Sequence, residues 1–139
     1  MKNLIVLIVL VLITISLNVS AQVSVIANKS VSETEISKSK LMEIYSLSAN
    51  KWKNGEKIIV FDLKSEGKTR SNFYSFLGKS ADDLKKIWMR AQLTGEGTAP
   101  KALGSEYEIL EKVASTEGAI GFIASEKVNN TVKVLITIK

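Results

Sequence analysis

The chain has 139 residues, with 19 Lys and Arg against 14 Asp and Glu, a formal net charge of +5, a single Pro, and neither His nor Cys. Without imidazole or thiolate there is no His general base, no ordinary zinc ligand set and no disulfide framework, so stability must come from packing. The basic residues are scattered among acidic ones, which removes the electrostatic footprint of a nucleic-acid binder.

The first residues combine Lys2, an apolar stretch over Leu4–Leu17 and a small-x-small ending at Val19-Ser20-Ala21. These are the three parts of a secretory signal peptide, so cleavage after Ala21 is expected. A run of about 14 apolar residues falls short of the roughly 20 that cross a bilayer as a helix. No later run approaches that length, so no membrane span is expected after cleavage. The sequence thus divides into a leader over residues 1–21 and one domain over residues 22–139, mildly basic and long enough to bury a core.

Alternating apolar residues in Gln22–Asn28 predict a first strand. Ser37 is placed to cap a helix whose Leu41, Ile44 and Tyr45 share one face. Asn50–Glu56 reads as a turn carrying Trp52, and the continuous apolar run Lys57–Phe61 as a strand covered on both sides. Phe73, Phe76 and Leu77 mark a second helix closed by Gly78-Lys79. Ser80-Ala81-Asp82-Asp83 is a capping box ahead of Leu84, Ile87, Trp88 and Ala91 at helical spacing. Thr94–Pro100 must be a loop, because two Gly and the only Pro fall in it. Ser105 and Glu108 form another capping box before Ile109, Leu110, Val113 and Ala114. Glu117-Gly118 then turns the chain into a strand over Ala119–Ile123, and Val132, Val134, Ile136 and Ile138 alternate along a last one. Strands interleave with helices, which predicts an α/β fold: a mixed sheet with helices packed on it.

Three motifs bear on chemistry. Gly67-Lys68-Thr69 resembles the end of a nucleotide cradle, but that motif needs Gly five positions before Gly67, where Asp62 stands and would repel phosphate. Ser65-x-x-Lys68 matches an acyl-enzyme motif. The same pattern recurs at Ser37–Lys40 and Ser48–Lys51, and the companion elements are missing. What remains is a strand ending near Asp62, a polar turn and a helix beginning near Thr69. Free amides and the positive end of a helix dipole gather at such a point, each nearby negative charge gaining about 0.3–1 kcal/mol on exposed surfaces. Ser65, Lys68, Thr69 and Arg70 are therefore the candidate contacts for a small oxyanion, with Ser71 a further hydroxyl. The plainer alternative is that Ser65 or Thr69 only caps the helix and both cations are solvated. The loop from Thr94 to Lys101, with Thr98 and Lys101, is a second candidate, or simply a connection. Trp52 and Trp88 read as packing residues. No catalytic residue, metal or cofactor is expected.

The order of landmarks carries a resemblance. Leu41-x-x-Ile44-Tyr45 followed by Lys51-Trp52-x-x-Gly55 resembles the eLxxIFxGkxxxWxdG segment of the phosphate-binding proteins that serve ABC importers. Arg70-x-x-Phe73, Leu77-Gly78-Lys79-Ser80 with Leu84 and Trp88, and Thr94-Gly95-x-Gly97-x-x-Pro100 resemble short members of that superfamily. Val113-x-x-x-x-Gly118-Ala119-Ile120-Gly121-Phe122 resembles its VxxxpGAIGYv signature, with Glu117 in place of the common Pro and Phe122 in place of Tyr. The resemblance implies a type 2 periplasmic-binding-protein-like fold reduced to a single lobe, a periplasmic location, a small oxyanion such as phosphate as ligand, and an ABC permease or another envelope protein as partner. Longer relatives hold phosphate with Ser-Gly-Thr at a helix start. Gly67-Lys68-Thr69 is the matching place here, where only Thr69 carries over and Lys68 supplies charge in place of lost donors. The alternative implied by the same departures is a non-catalytic envelope accessory protein whose ligand site has degenerated.

Overall fold

The computed structural model describes residues 21–139; the leader expected over residues 1–21 lies outside the described residues except for Ala21. In chain order the elements are β1 (Val23–Ala27), α1 (Lys38–Tyr45), β2 (Ile59–Leu63), α2 (Lys68–Leu77), α3 (Ala81–Thr94), β3 (Lys101–Leu103), α4 (Glu106–Ser115), β4 (Ala119–Ala124) and β5 (Lys133–Ile138), with a 3-10 turn over Ser125–Lys127. Three of the four helices start where a hydroxyl can cap them. Ser37 accepts from the amide of Lys40, Ser80 from Asp83 and Ser105 from Glu108, each satisfying one of the free donors of a first turn. Gly78 ends α2 as expected.

The strands form one mixed sheet in the order β3-β2-β4-β1-β5. β2 runs parallel to both β3 and β4, while β1 is antiparallel to β4 and β5. Successive side chains of a strand point to opposite faces, and β4 shows what covers each. Phe122 meets the aromatic rings of Tyr45, Phe73 and Tyr74 from α1 and α2. At Gly121 the other face approaches Ile109 and Val113 of α4 so closely that an added Cβ would lie 2.8 Å from Ile109. Covered on both sides, β1 is buried at every position, including Ser24, where the sequence pattern predicted alternation.

Two further expectations are corrected. β2 is Ile59–Leu63 rather than Lys57–Phe61, because its ladder partners are Ala119 and Ile120 on one side and Lys101–Leu103 on the other. In β5 the expected alternation fails: Val132, Leu135 and Ile138 are buried while Val134 is exposed. The register against β1 slips between Val25 and Ile26, leaving Leu135 as the extra residue of a bulge, and a bulge reverses which face later residues take. The three-residue β3 was not foreseen at all. Both indoles pack inside, as expected, and both donate to a carbonyl: Trp52 to Gly118 at 2.9 Å and Trp88 to Tyr45 at 2.6 Å. Among the described residues no helix is long and apolar enough to cross a membrane.

Candidate anion site

Because β2, β3 and β4 are parallel, their carboxyl ends open on one edge of the sheet. Four residues connect β2 to α2 and two connect β3 to α4, so two helix N-termini are directed at that edge, where ligands of open α/β sheets commonly bind.

α2 starts at Gly67, whose φ of 150° and ψ of −175° no other residue adopts readily. No side chain caps this helix. Neither Ser65 nor Thr69 fills the capping role that the plainer reading of the sequence gave them, and the first amides of α2 are left without a side-chain acceptor. Ser65 and Lys68 are exposed, and Thr69 and Arg70 are half-buried. Adjacent positions of a helix diverge by about 100°, and these two part accordingly. Thr69 donates its hydroxyl to Glu106 Oε1 at 3.1 Å. Arg70 donates Nε to the carbonyl of Leu63 at 2.9 Å and lies 5.0 Å over the Tyr74 ring.

Glu106, the first residue of α4, is the centre of the edge. Its Oε1 also accepts from the Ala124 amide at 2.6 Å, and its Oε2 pairs with Lys127 Nζ at 2.8 Å. Burial pushes the carboxyl up, but the bonds from Lys127, the Ala124 amide and the Thr69 hydroxyl outweigh it and hold the group below the usual carboxylate range. The sequence offered no sign of this role, since an acid in a first helical turn is common for the dipole alone.

On the other side of α2, Arg70, Tyr74, Gly67 and Lys79 help to line an open hollow of about 540 Å³. Beneath it Asp62 is buried, accepting at Oδ1 from Tyr74 at 2.7 Å and from the Leu63 amide at 2.9 Å. Burial raises the Asp62 carboxyl, partly offset by Tyr74, Arg70, the Leu63 amide and Lys85. A group raised in this way contributes stability that is complete below its unfolded pKa and is lost as pH rises through its folded one. Asp62→Asn keeps an acceptor at Oδ1 and removes that loss. Its urea midpoint should rise above the wild-type value at about pH 7 and match it near pH 3, where both side chains are neutral.

The second loop, Thr94–Lys101, borders a hollow of about 430 Å³ with Ile58, Ile59 and Val60 among its walls. Lys101 belongs to β3. Among the described residues no group of three His, Cys, Asp or Glu stands close enough to hold a metal.

No protein-family model and no curated protein matches this sequence. Solved structures do match its fold. A Clostridium perfringens protein assigned as a phosphate ABC transporter substrate-binding protein, with bound phosphate, superposes with a TM-score of 0.68 at 20% identity, over 83% of this chain and 45% of that one. An ABC-type phosphate transport receptor from Vibrio cholerae gives 0.65 at 21% identity, over 83% and 46%. PstS from Borrelia burgdorferi gives 0.62 at 17%, over 83% and 47%. The chain therefore shares the α/β fold of phosphate-binding proteins of this type and spans a little under half the length of each.

Proposed function

We propose that this chain, with the fold of about one lobe of a phosphate-binding protein, is a non-catalytic module that binds phosphate or a similar small oxyanion outside the cytoplasm. The anion sits at the start of α2, held by its free amides and by Ser65, Lys68, Thr69 and Arg70. The periplasm is its location once the leader is removed, and an ABC permease is its partner. The observation that carries the reading is the uncapped first turn of α2 on the ligand-binding edge of the sheet, in a fold whose relatives include a phosphate-bound protein.

A single lobe leaves one side of the anion in water, forgoing donors worth about 1.5–3 kcal/mol each to a charged group. Every 1.4 kcal/mol is about tenfold in affinity, so the expected affinity is weak. Calorimetry on residues 22–139 with phosphate and with sulfate should give saturable heat at millimolar anion, reduced at least threefold in affinity by Lys68→Ala. Silence with both anions removes the reading.

One observation favours a second one. Thr69 and Arg70 already have internal partners, as expected of an envelope accessory protein whose ligand site has degenerated and whose surface serves protein contacts. Cross-linking in cells separates the two: a stable partner captured equally with and without phosphate supports the accessory role.

A further inference from the structure

Three donors from separate parts of the fold converge on one carboxylate at the edge of the sheet. They are the Thr69 hydroxyl from α2, the Ala124 amide from the end of β4 and the Lys127 ammonium from the 3-10 turn. Two hydrogen bonds to one oxygen and an ammonium on the other are the contacts a free oxyanion would need, and they are already made to Glu106. The Lys127–Glu106 pair is not a simple surface ion pair, because the Glu106 side chain is only 17% exposed and takes two uncharged donors as well. Charge-assisted bonds of this kind are about twice as strong as neutral ones. A second anion cannot share these donors with Glu106 in place, since two carboxylate-like charges a few ångströms apart repel each other.

We propose that Glu106 is an internal competitor for the oxyanion: Thr69, Ala124 and Lys127 form a ligand subsite that opens only when the Glu106 side chain swings out or loses its charge. This rests on the anion-binding reading above and adds two donors to it, Ala124 and Lys127, that lie far from the α2 motif in sequence. It also accounts for an intact donor set whose hydroxyl is committed to an internal acceptor. A partner protein that engages Glu106 would then raise anion affinity without touching the anion.

The test is a phosphate titration of residues 22–139 followed by calorimetry and by the Ala124 amide resonance, in wild type, Glu106→Gln, Glu106→Ala and Glu66→Gln. Glu66 is an exposed carboxylate in the turn that leads into α2 and reports the effect of simple charge removal. Glu106→Ala should bind phosphate at least about tenfold more tightly than wild type, with Glu106→Gln between them and Glu66→Gln within about twofold of wild type. The Ala124 amide should shift on titration in the Glu106 variants, and adding Lys127→Ala should cancel the gain. If Glu106→Ala does not fold, Glu106→Gln, which keeps the shape of the side chain, carries the comparison. Wild type and Glu106 variants binding alike, a gain matched by Glu66→Gln, or a gain with a static Ala124 amide overturns the competition while leaving the anion reading in place. Absence of binding in every variant removes both.

Discussion

Gly118→Ala should lower the free energy of unfolding by at least about 3 kcal/mol, a large part of the 5–15 kcal/mol typical of a domain. Gly118 has a φ of +74°, and a Cβ built there lies 2.2 Å from the carbonyl oxygen of Lys57. The left-handed backbone alone costs an ordinary residue roughly 1–2 kcal/mol. The clash is with main chain, so the segments leading into β2 and β4 must move apart to relieve it, and Gly118 is where their neighbours are tied. Its carbonyl accepts from the Ile59 amide at 3.1 Å and from the Trp52 indole at 2.9 Å, and its amide donates to Ser30 Oγ at 3.0 Å. Gly55 supplies the control: its φ is +85°, but an added Cβ meets nothing within 4 Å. Urea midpoints should fall by about 1 kcal/mol equivalent in Gly55→Ala and by several times that in Gly118→Ala. Equal effects would mean that backbone strain acts alone and that the contact with Lys57 is relaxed at no cost.

Phe73→Ala should cost about 3–5 kcal/mol, the range for removing a buried aromatic ring. Phe73 is fully buried. Its ring stacks on Phe122 with centroids 3.8 Å apart and planes 6° apart, and the edge contact with Tyr45 is 4.8 Å. This cluster holds α2 and α1 against the face of β4, and α2 is the helix whose first turn forms the candidate anion site. The loss should therefore appear twice: as a lower urea midpoint, and as faster amide hydrogen exchange through the whole of α2 under native conditions. Phe73→Leu retains most of the apolar volume and should recover more than half of the stability. Uniform exchange changes across all helices, with none concentrated in α2, would contradict the anchoring role.

The candidate site was only half legible in advance. Gly67, Lys68 and Thr69 stand consecutively in the chain, so a polar turn leading into a helix could be read from them directly. Their partners could not. Thr69 meets Glu106 across 37 positions, and Glu106 meets Ala124 across 18. Nothing in the residue types of Glu106 or Ala124 separates them from any other first-turn acid or strand-end alanine. The same holds for Asn28, whose side-chain amide donates to the carbonyls of Val113 and Ala114 at 2.8 and 3.0 Å and so closes α4 from 85 or more positions away. In place of a local Gly stop, that helix uses a strand-end residue brought up by the sheet.

By itself the sequence determined the caps at Ser37, Ser80 and Ser105, the apolar faces of the helices, the turn at Gly118 and the exclusion of thiol and imidazole chemistry. These depend on residue type or on neighbours within a turn or two, where spacing along the chain is also spacing in space. Only the tertiary structure decided the limits of β2, the bulge at Leu135, the burial of Asp62 and the seating of Glu106 among Thr69, Ala124 and Lys127. Each of these follows from which strands lie side by side, and strand order is settled by packing across the whole sheet rather than by any short stretch of residues.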